Sequence, residues 1–256
     1  MYYTYKIILV ILFNVFIVNT LSFNVFAKNN YNEYLFVTSI RSDFNIETSQ
    51  YASSFIAQHN NSVFLITAAH VARIMNNKTI LRIGDIDNEY IDIKLIDITK
   101  DNQVIWQYHK YADIAIIELN SKNKQVDINA ICISSNNFVK NHQFNINEDF
   151  LCVGYPLNHP LAIIGNDCFH PYVYKTYTLN KVIKMSLKDI NNNINNVIPT
   201  SHCSFIGTSG SPLIKKLNNL NKFQIYGICH GSLYQTNNHN NVMSLFIPID
   251  YFFDFF

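Results

Sequence analysis

The sequence predicts an all-β protein of two β-rich halves, a sandwich or barrel architecture ending in one short helix. Three observations carry this. Short runs of β-branched and aromatic residues recur along the chain, separated by Asn, Asp and Ser turns. Only one early segment, a turn or so after Ala68-Ala69-His70, reads as helix. A length of 256 residues with 48% hydrophobic and 14% charged content is enough for a large buried core and excludes a disordered chain.

The first 27 residues read as a targeting segment. Lys6 gives a positive start, Ile7 to Val18 an apolar run broken only by Asn14, and Val25-Phe26-Ala27 a small-x-small cleavage site. Asn14, Asn19, Thr20, Ser22 and Asn24 make the segment a poor spanning helix. Cleavage after Ala27 and a secreted or periplasmic location are therefore expected, with membrane contact only if the segment stays uncleaved. From residue 31, strand-like runs are Tyr34–Val37, Ser54–Ala57, Val63–Ile66, Thr79–Ile83, Tyr90–Ile93 and Ile114–Ile117. His59-Asn60-Asn61 signals a hairpin. A looser stretch near 120–142 divides the halves, about 31–125 and 140–250. Strands then resume at Phe150–Val153, Val173-Tyr174, Leu179–Ile183, Phe223–Ile228 and Met243–Ile247. Asn191–Asn196 and Asn218–Asn221 read as polar loops, the second a hairpin tip. Ile249–Phe256 reads as the closing helix.

A formal net charge of +1 without a Lys/Arg cluster argues against nucleic acid as a partner. Five cysteines (Cys132, Cys152, Cys168, Cys203, Cys229), an odd count with no C-x-x-C, argue against a zinc site of ordinary spacing. Neither metal nor cofactor is expected. Disulfide pairing stays open, a Cys203–Cys229 bridge included.

Chemistry concentrates in three places. Only seven glycines serve the chain, and Gly207, Gly210, Gly227 and Gly231 fall within one short span. In Gly207-Thr208-Ser209-Gly210-Ser211-Pro212, a glycine on each side of Thr208-Ser209 suits a tight turn that presents a hydroxyl and aims N–H groups at one point, as acyl transfer requires. Thr67-Ala68-Ala69-His70 places an imidazole after a strand. Tyr111-Ala112-Asp113 places a carboxylate at the mouth of another. A lone histidine or strand-end aspartate is commonly structural, but together the three supply nucleophile, base and orienting acid in the order His, Asp, Ser.

These segments, with Val153-Gly154-Tyr155-Pro156, Gly227-Ile228-Cys229-His230-Gly231 and Phe246-Ile247-Pro248-Ile249, resemble the chymotrypsin-like (trypsin-fold) serine proteases. Within them the chain is most similar to the bacterial branch of glutamyl endopeptidases and HtrA protease domains. The resemblance implies two packed six-stranded antiparallel β-barrels over residues 28–256, with the active site in the cleft between them. It implies Ser209 as nucleophile, His70 as general base and acid, Asp113 as its orienting carboxylate, and an oxyanion hole from the N–H groups of Gly207 and Ser209. It places the primary pocket at Cys203, Ser204, Cys229, His230 and Gly231. Cys203 stands where trypsin has an acid, so cleavage after Lys or Arg is disfavoured. Cys229 stands where glutamyl endopeptidases put a pocket histidine. His230 is one residue on and, by strand alternation, faces the other way. Thr208 replaces the zymogen-type aspartate, so activity is expected not to depend on a freshly cut N-terminus.

The expected function is a secreted, monomeric serine endopeptidase acting on protein or peptide substrates. The alternatives are a catalytically inactive binding module on the same fold and a membrane-tethered HtrA-like protease. The second is disfavoured by the expectation that no PDZ-like domain follows.

Overall fold

The computed structural model describes residues 31–43, 49–84, 90–121, 126–156, 171–186, 194–217, 222–234 and 241–256. The expected leader and the Asn218–Asn221 hairpin tip lie outside them, as does Cys168. Among the described residues, no helix is long and apolar enough to cross a membrane.

Among the described residues, fifteen strands form two antiparallel-dominated sheets. The first contains β1 (Val37–Asp43), β2 (Ser49–His59), β3 (Ser62–Thr67), β4 (Ile80–Gly84), β5 (Tyr90–Lys94), β6 (Gln107–Tyr108), β7 (Ala115–Leu119) and β8 (Ile133–Ser134). Its strand order is β5-β4-β1-β2-β3-β7-β6, with β8 parallel to β2. The second contains β9 (Asp149–Gly154), β10 (Tyr172–Tyr177), β11 (Ile183–Ser186), β12 (Ile194–Thr200), β13 (Pro212–Leu217), β14 (Lys222–Tyr234) and β15 (Asn241–Pro248), in the order β10-β9-β13-β14-β15-β12-β11. The all-β class is as expected; the strand counts of eight and seven exceed six per barrel. Among the described residues neither sheet closes by a ladder; isolated bridges link Thr99 to Leu119 in the first and Thr178 to Thr200 in the second.

Strands buried on both faces explain why so many read as unbroken apolar runs. Along β3, Val63 and Leu65 enter the core of the first sheet, while Phe64 and Ile66 enter a core shared with the second. Along β7, Ala115 and Ile117 take the first, Ile114 (just before the strand) and Ile116 the shared one. Val153, Ile214, Ile225, Ile228 and Ile247 meet them from the second sheet. A third cluster packs Phe150, Cys152, Cys203, Tyr226, Cys229 and Phe246.

The expected helix after Ala68 is α1 (Ala69–Ala72), and the hairpin at Asn60 turns through a positive φ of 54°. Ile249–Phe255 closes the described chain as a 3-10 helix whose Phe252 is fully buried, 5.0 Å from the Phe138 ring. Several expectations shift. Tyr31–Tyr34 is a 3-10 turn, and only Val37 of the first run is strand. Of Leu179–Ile183, only Ile183 opens a strand. Part of the Asn191–Asn196 loop is the start of β12, whose far end pairs with β15 through Ile198 and Phe246.

Candidate active site

β3 and β7 run antiparallel with Thr67 opposite Ala115. The end of one and the start of the other therefore share an edge. Three residues past Thr67 is His70, and two before Ala115 is Asp113. The His70 N–H donates to Asp113 Oδ1 at 2.8 Å, and its Nδ1 meets Oδ2 at 2.6 Å. That bond makes Nδ1 the protonated nitrogen and leaves Nε2 as the basic one. The loop carrying Asp113 is pinned by His109, whose Nδ1 accepts from the N–H of Tyr111 and of Ala112, at 3.1 and 2.9 Å.

The Ser209 turn precedes β13 and is strapped to both sheets. Ser53 of β2 donates its N–H to the Ser209 carbonyl and its hydroxyl to the Gly207 carbonyl, both at 2.9 Å. The same hydroxyl accepts the Tyr155 N–H at 2.8 Å. Gly210 donates to the Cys229 carbonyl and Cys229 to that of Ser211, each at 2.8 Å. Gly210 has φ 89°, and a Cβ there would lie 2.0 Å from the Ser53 carbonyl oxygen. Only glycine permits that approach. Among the described residues, the N–H groups of Gly207 and Ser209 donate to no backbone carbonyl. Thr208, fully buried, exchanges hydrogen bonds with the Phe205 backbone at 2.7 and 2.9 Å and meets Ser204 Oγ at 3.1 Å. A hydroxyl thus stitches the turn internally at the position where the zymogen-type aspartate was expected to be replaced.

His230 joins the two parts. In β14, Cys229 pairs with Phe246 and Gly231 with Leu245, which leaves His230 as the extra residue of a β-bulge. His230 faces the opposite way to Cys229, as strand alternation expects, so it meets Asp113 and not the Ser204 hydroxyl that Cys229 contacts in the expected pocket. Its Nδ1 lies 2.5 Å from Asp113 Oδ2, while the His230 carbonyl accepts from Ser209 Oγ at 3.2 Å. The two imidazoles stand edge to face, centroids 5.4 Å apart. Asp113 is completely buried. Burial pushes its carboxyl up, but the hydrogen bonds from His230 and His70, and the charge those rings can carry, hold it well below the usual carboxylate range.

The donor atoms of His70, Asp113 and His230 all lie within 4.8 Å of one another, a set zinc could use on residue type alone. The spacing favours protons. Ligand atoms about 2.0–2.1 Å from a tetrahedral ion stand about 3.3 Å apart, whereas both imidazole nitrogens lie 2.5–2.6 Å from one oxygen. Those are charge-assisted hydrogen bonds.

On the other side of the turn lie Cys203 and Ser204, both buried, with Cys229 Sγ 3.5 Å from Ser204 Oγ. Of the cysteines sequence reasoning left unpaired, Cys132, Cys152, Cys203 and Cys229 are free thiols. Cys152 touches both Cys203 and Cys229, and those contacts together with burial raise its thiol well above the ordinary value. Sequence reasoning missed the His230–Asp113 contact. The glycines at 227 and 231 hinted at irregular backbone but not at its direction.

Residues 37–256 match the family model described as Trypsin. The active form of the Rv3671c protease from M. tuberculosis superposes with a TM-score of 0.56 at 18% identity, over 84% of this chain and 77% of that one. Its inactive form gives 0.53 at 15% identity over 87% of each. The HtrA-type protease AlgW, solved with a tripeptide, gives 0.51 at 15% identity over 86% of this chain and 60% of its own. At such identities the likeness is one of fold. No curated protein matches the sequence. With the family model running from Val37 to Phe256, the chain belongs to the trypsin family of serine proteases.

Proposed function

We propose that the protein is a secreted serine endopeptidase that cleaves peptide bonds through Ser209, His70 and Asp113. Ser209 Oγ attacks the scissile carbonyl carbon as its proton passes to His70 Nε2. The carbonyl electron pair moves onto oxygen, which the N–H groups of Gly207 and Ser209 stabilise. Collapse expels the amine, protonated by the His70 imidazolium, and leaves an acyl-Ser209 ester. Water, deprotonated by His70, then releases the acid and restores the hydroxyl. Asp113 stays ionised throughout, holding the Nδ1–H tautomer and offsetting the imidazolium charge.

The observation that carries this reading is the 2.6 Å bond from His70 Nδ1 to a buried Asp113 held ionised, with His230 bonded to that same carboxylate and, through its carbonyl, to Ser209 Oγ. A pocket of thiol and hydroxyl groups at Cys203, Ser204 and Cys229, with Gly231, where Cys203 stands in place of trypsin's acid, favours substrates without a basic residue before the cut. Export is inferred from residues 1–27, and a mature chain beginning at Lys28 is its mark. The test is a fluorophosphonate probe, expected to label the wild type on Ser209 and not the Ser209→Ala variant. Turnover in that variant should fall by roughly 10⁴ to 10⁶. Absence of labelling on folded wild type would favour the non-enzymatic binding module.

A further inference from the structure

We infer that His230 is a positioning residue for His70, a second imidazole that shares the Asp113 carboxylate and so limits how strongly the first is held as a cation. The inference rests on the proposed triad and adds a member to it that acts only through Asp113.

The geometry is specific. Asp113 Oδ2 receives both Nδ1 atoms, at 2.6 Å from His70 and 2.5 Å from His230, while Oδ1 is taken by the His70 N–H. Asp113 has no exposed surface, so its negative charge is met by these protein donors. The His230 side chain is itself 13% exposed. It is the bulge residue of β14, fixed on its far side by Cys229 and Gly231 pairing to β15.

A carboxylate oxygen shared between two donors gives less to each. Every part of its charge that His230 draws is withheld from the His70 imidazolium. A proton resting on His230 would act in the same direction, leaving His70 free as a base. The groups facing His230 allow few competing explanations. The turn after β3 brings His70, the loop before β7 brings Asp113, the nucleophile turn brings uncharged Ser209, and β15 brings Ser244, Leu245 and Phe246 at this level. His109, the other imidazole near the loop, is committed to Asp254 through Nε2 and to backbone N–H groups through Nδ1.

The experiment measures the rate of fluorophosphonate labelling of the full chain against pH. It compares wild type with His230→Leu, which removes the donor, and His230→Asn, which restores a neutral one. In His230→Leu the acid limb should move up by about half a pH unit or more, because His70 holds its proton more tightly. His230→Asn should return the limb to within about 0.2 units of wild type. A limb that stays put in His230→Leu while the rate falls would reduce His230 to a packing residue and overturn the inference, as would a His230→Asn limb displaced as far as that of His230→Leu. If His230→Leu does not fold, proton NMR of the wild type decides. Two low-field imidazole N–H resonances are expected, one of them lost in His230→Asn; a single resonance overturns the inference. Failure of the wild type to label at any pH would count against the protease reading instead, since the resonances report the shared carboxylate whether or not Ser209 reacts.

Discussion

Asp113 and Glu148 both accept hydrogen bonds from imidazoles, and both are held below the ordinary carboxylate range, yet their third partners differ. At Glu148, just before β9, burial raises the carboxyl, but Lys215, the Asn145 N–H and His142 together outweigh it. Lys215 Nζ bonds Oε1, His142 Nε2 lies 2.9 Å from the same oxygen, and the Asn145 N–H is 3.0 Å from Oε2. A lysine is permanently charged at neutral pH, so the Glu148 charge is spent on tying β13 to the start of β9. Among the described residues, the hydrogen-bond partners of Asp113 are His70 and His230, with no lysine or arginine. Its two imidazoles can be neutral or charged, so its field remains available to whichever ring takes a proton. A fixed cation makes a staple; in the proposed triad, the carboxylate held by two imidazoles instead orients the ring that takes the serine proton.

The sharpest way to break this comparison is to neutralise each carboxylate in turn. Asp113→Asn should lower turnover by about 10⁴, because the wrong His70 tautomer is then favoured. Glu148→Gln should leave turnover within about threefold, since it touches neither the turn nor His70. Equal losses in the two variants would erase the distinction. The measurement is kcat/KM on one cleavable peptide, with circular dichroism to confirm the fold.

The other end of β9 sharpens it. Gly154 lies where a Cβ would sit 1.8 Å from Ser211 Oγ and 2.9 Å from Ser53 Oγ, so the strand that begins at the staple ends against the Ser209 turn. Gly154→Ala should destabilise by about 2–3 kcal/mol through overpacking. Ser211 Oγ is buried and lacks a hydrogen-bond partner. Combining Gly154→Ala with Ser211→Gly should therefore recover most of the loss in a urea titration; no recovery would mean that Ser53 Oγ, not the Ser211 side chain, is the obstacle.

Much of this was legible because it is local. Runs such as Val63–Ile66 and Ile114–Ile117 are apolar on both faces and read as strands without knowledge of their neighbours. His70 and Asp113 were visible as chemistry at strand ends, and the glycines flanking Thr208-Ser209 as a turn. What escaped depends on distant pairing. β12 begins in an asparagine-rich stretch and is strand because β11 and β15 flank it. β13 was overlooked although it is central, bonded to β9 and β14. Alternation gives His230 the face opposite Cys229, but that Asp113 waits there depends on how the loop before β7 meets the bulge of β14, which no local pattern reveals.

Acid unfolding gives the smallest effect and the finest separation. Both carboxylates have folded-state values below their unfolded ones. Each therefore contributes stability that is present above the unfolded carboxylate range, about 4, and is lost as pH falls through the folded value. At pH 7, Glu148→Gln should be less stable than wild type by about 1–2 kcal/mol, seen as a Tm lower by a few degrees. As pH drops below about 4, wild type loses the same contribution by protonation and the two curves should converge. For Asp113→Asn the convergence should come at distinctly lower pH, because two imidazole donors in a fully buried site hold that carboxylate further down. Melting curves from pH 7 to pH 2 read this directly. Convergence of both variants at one pH would mean that the two carboxylates are held alike, and that the difference between them lies in location, not in charge.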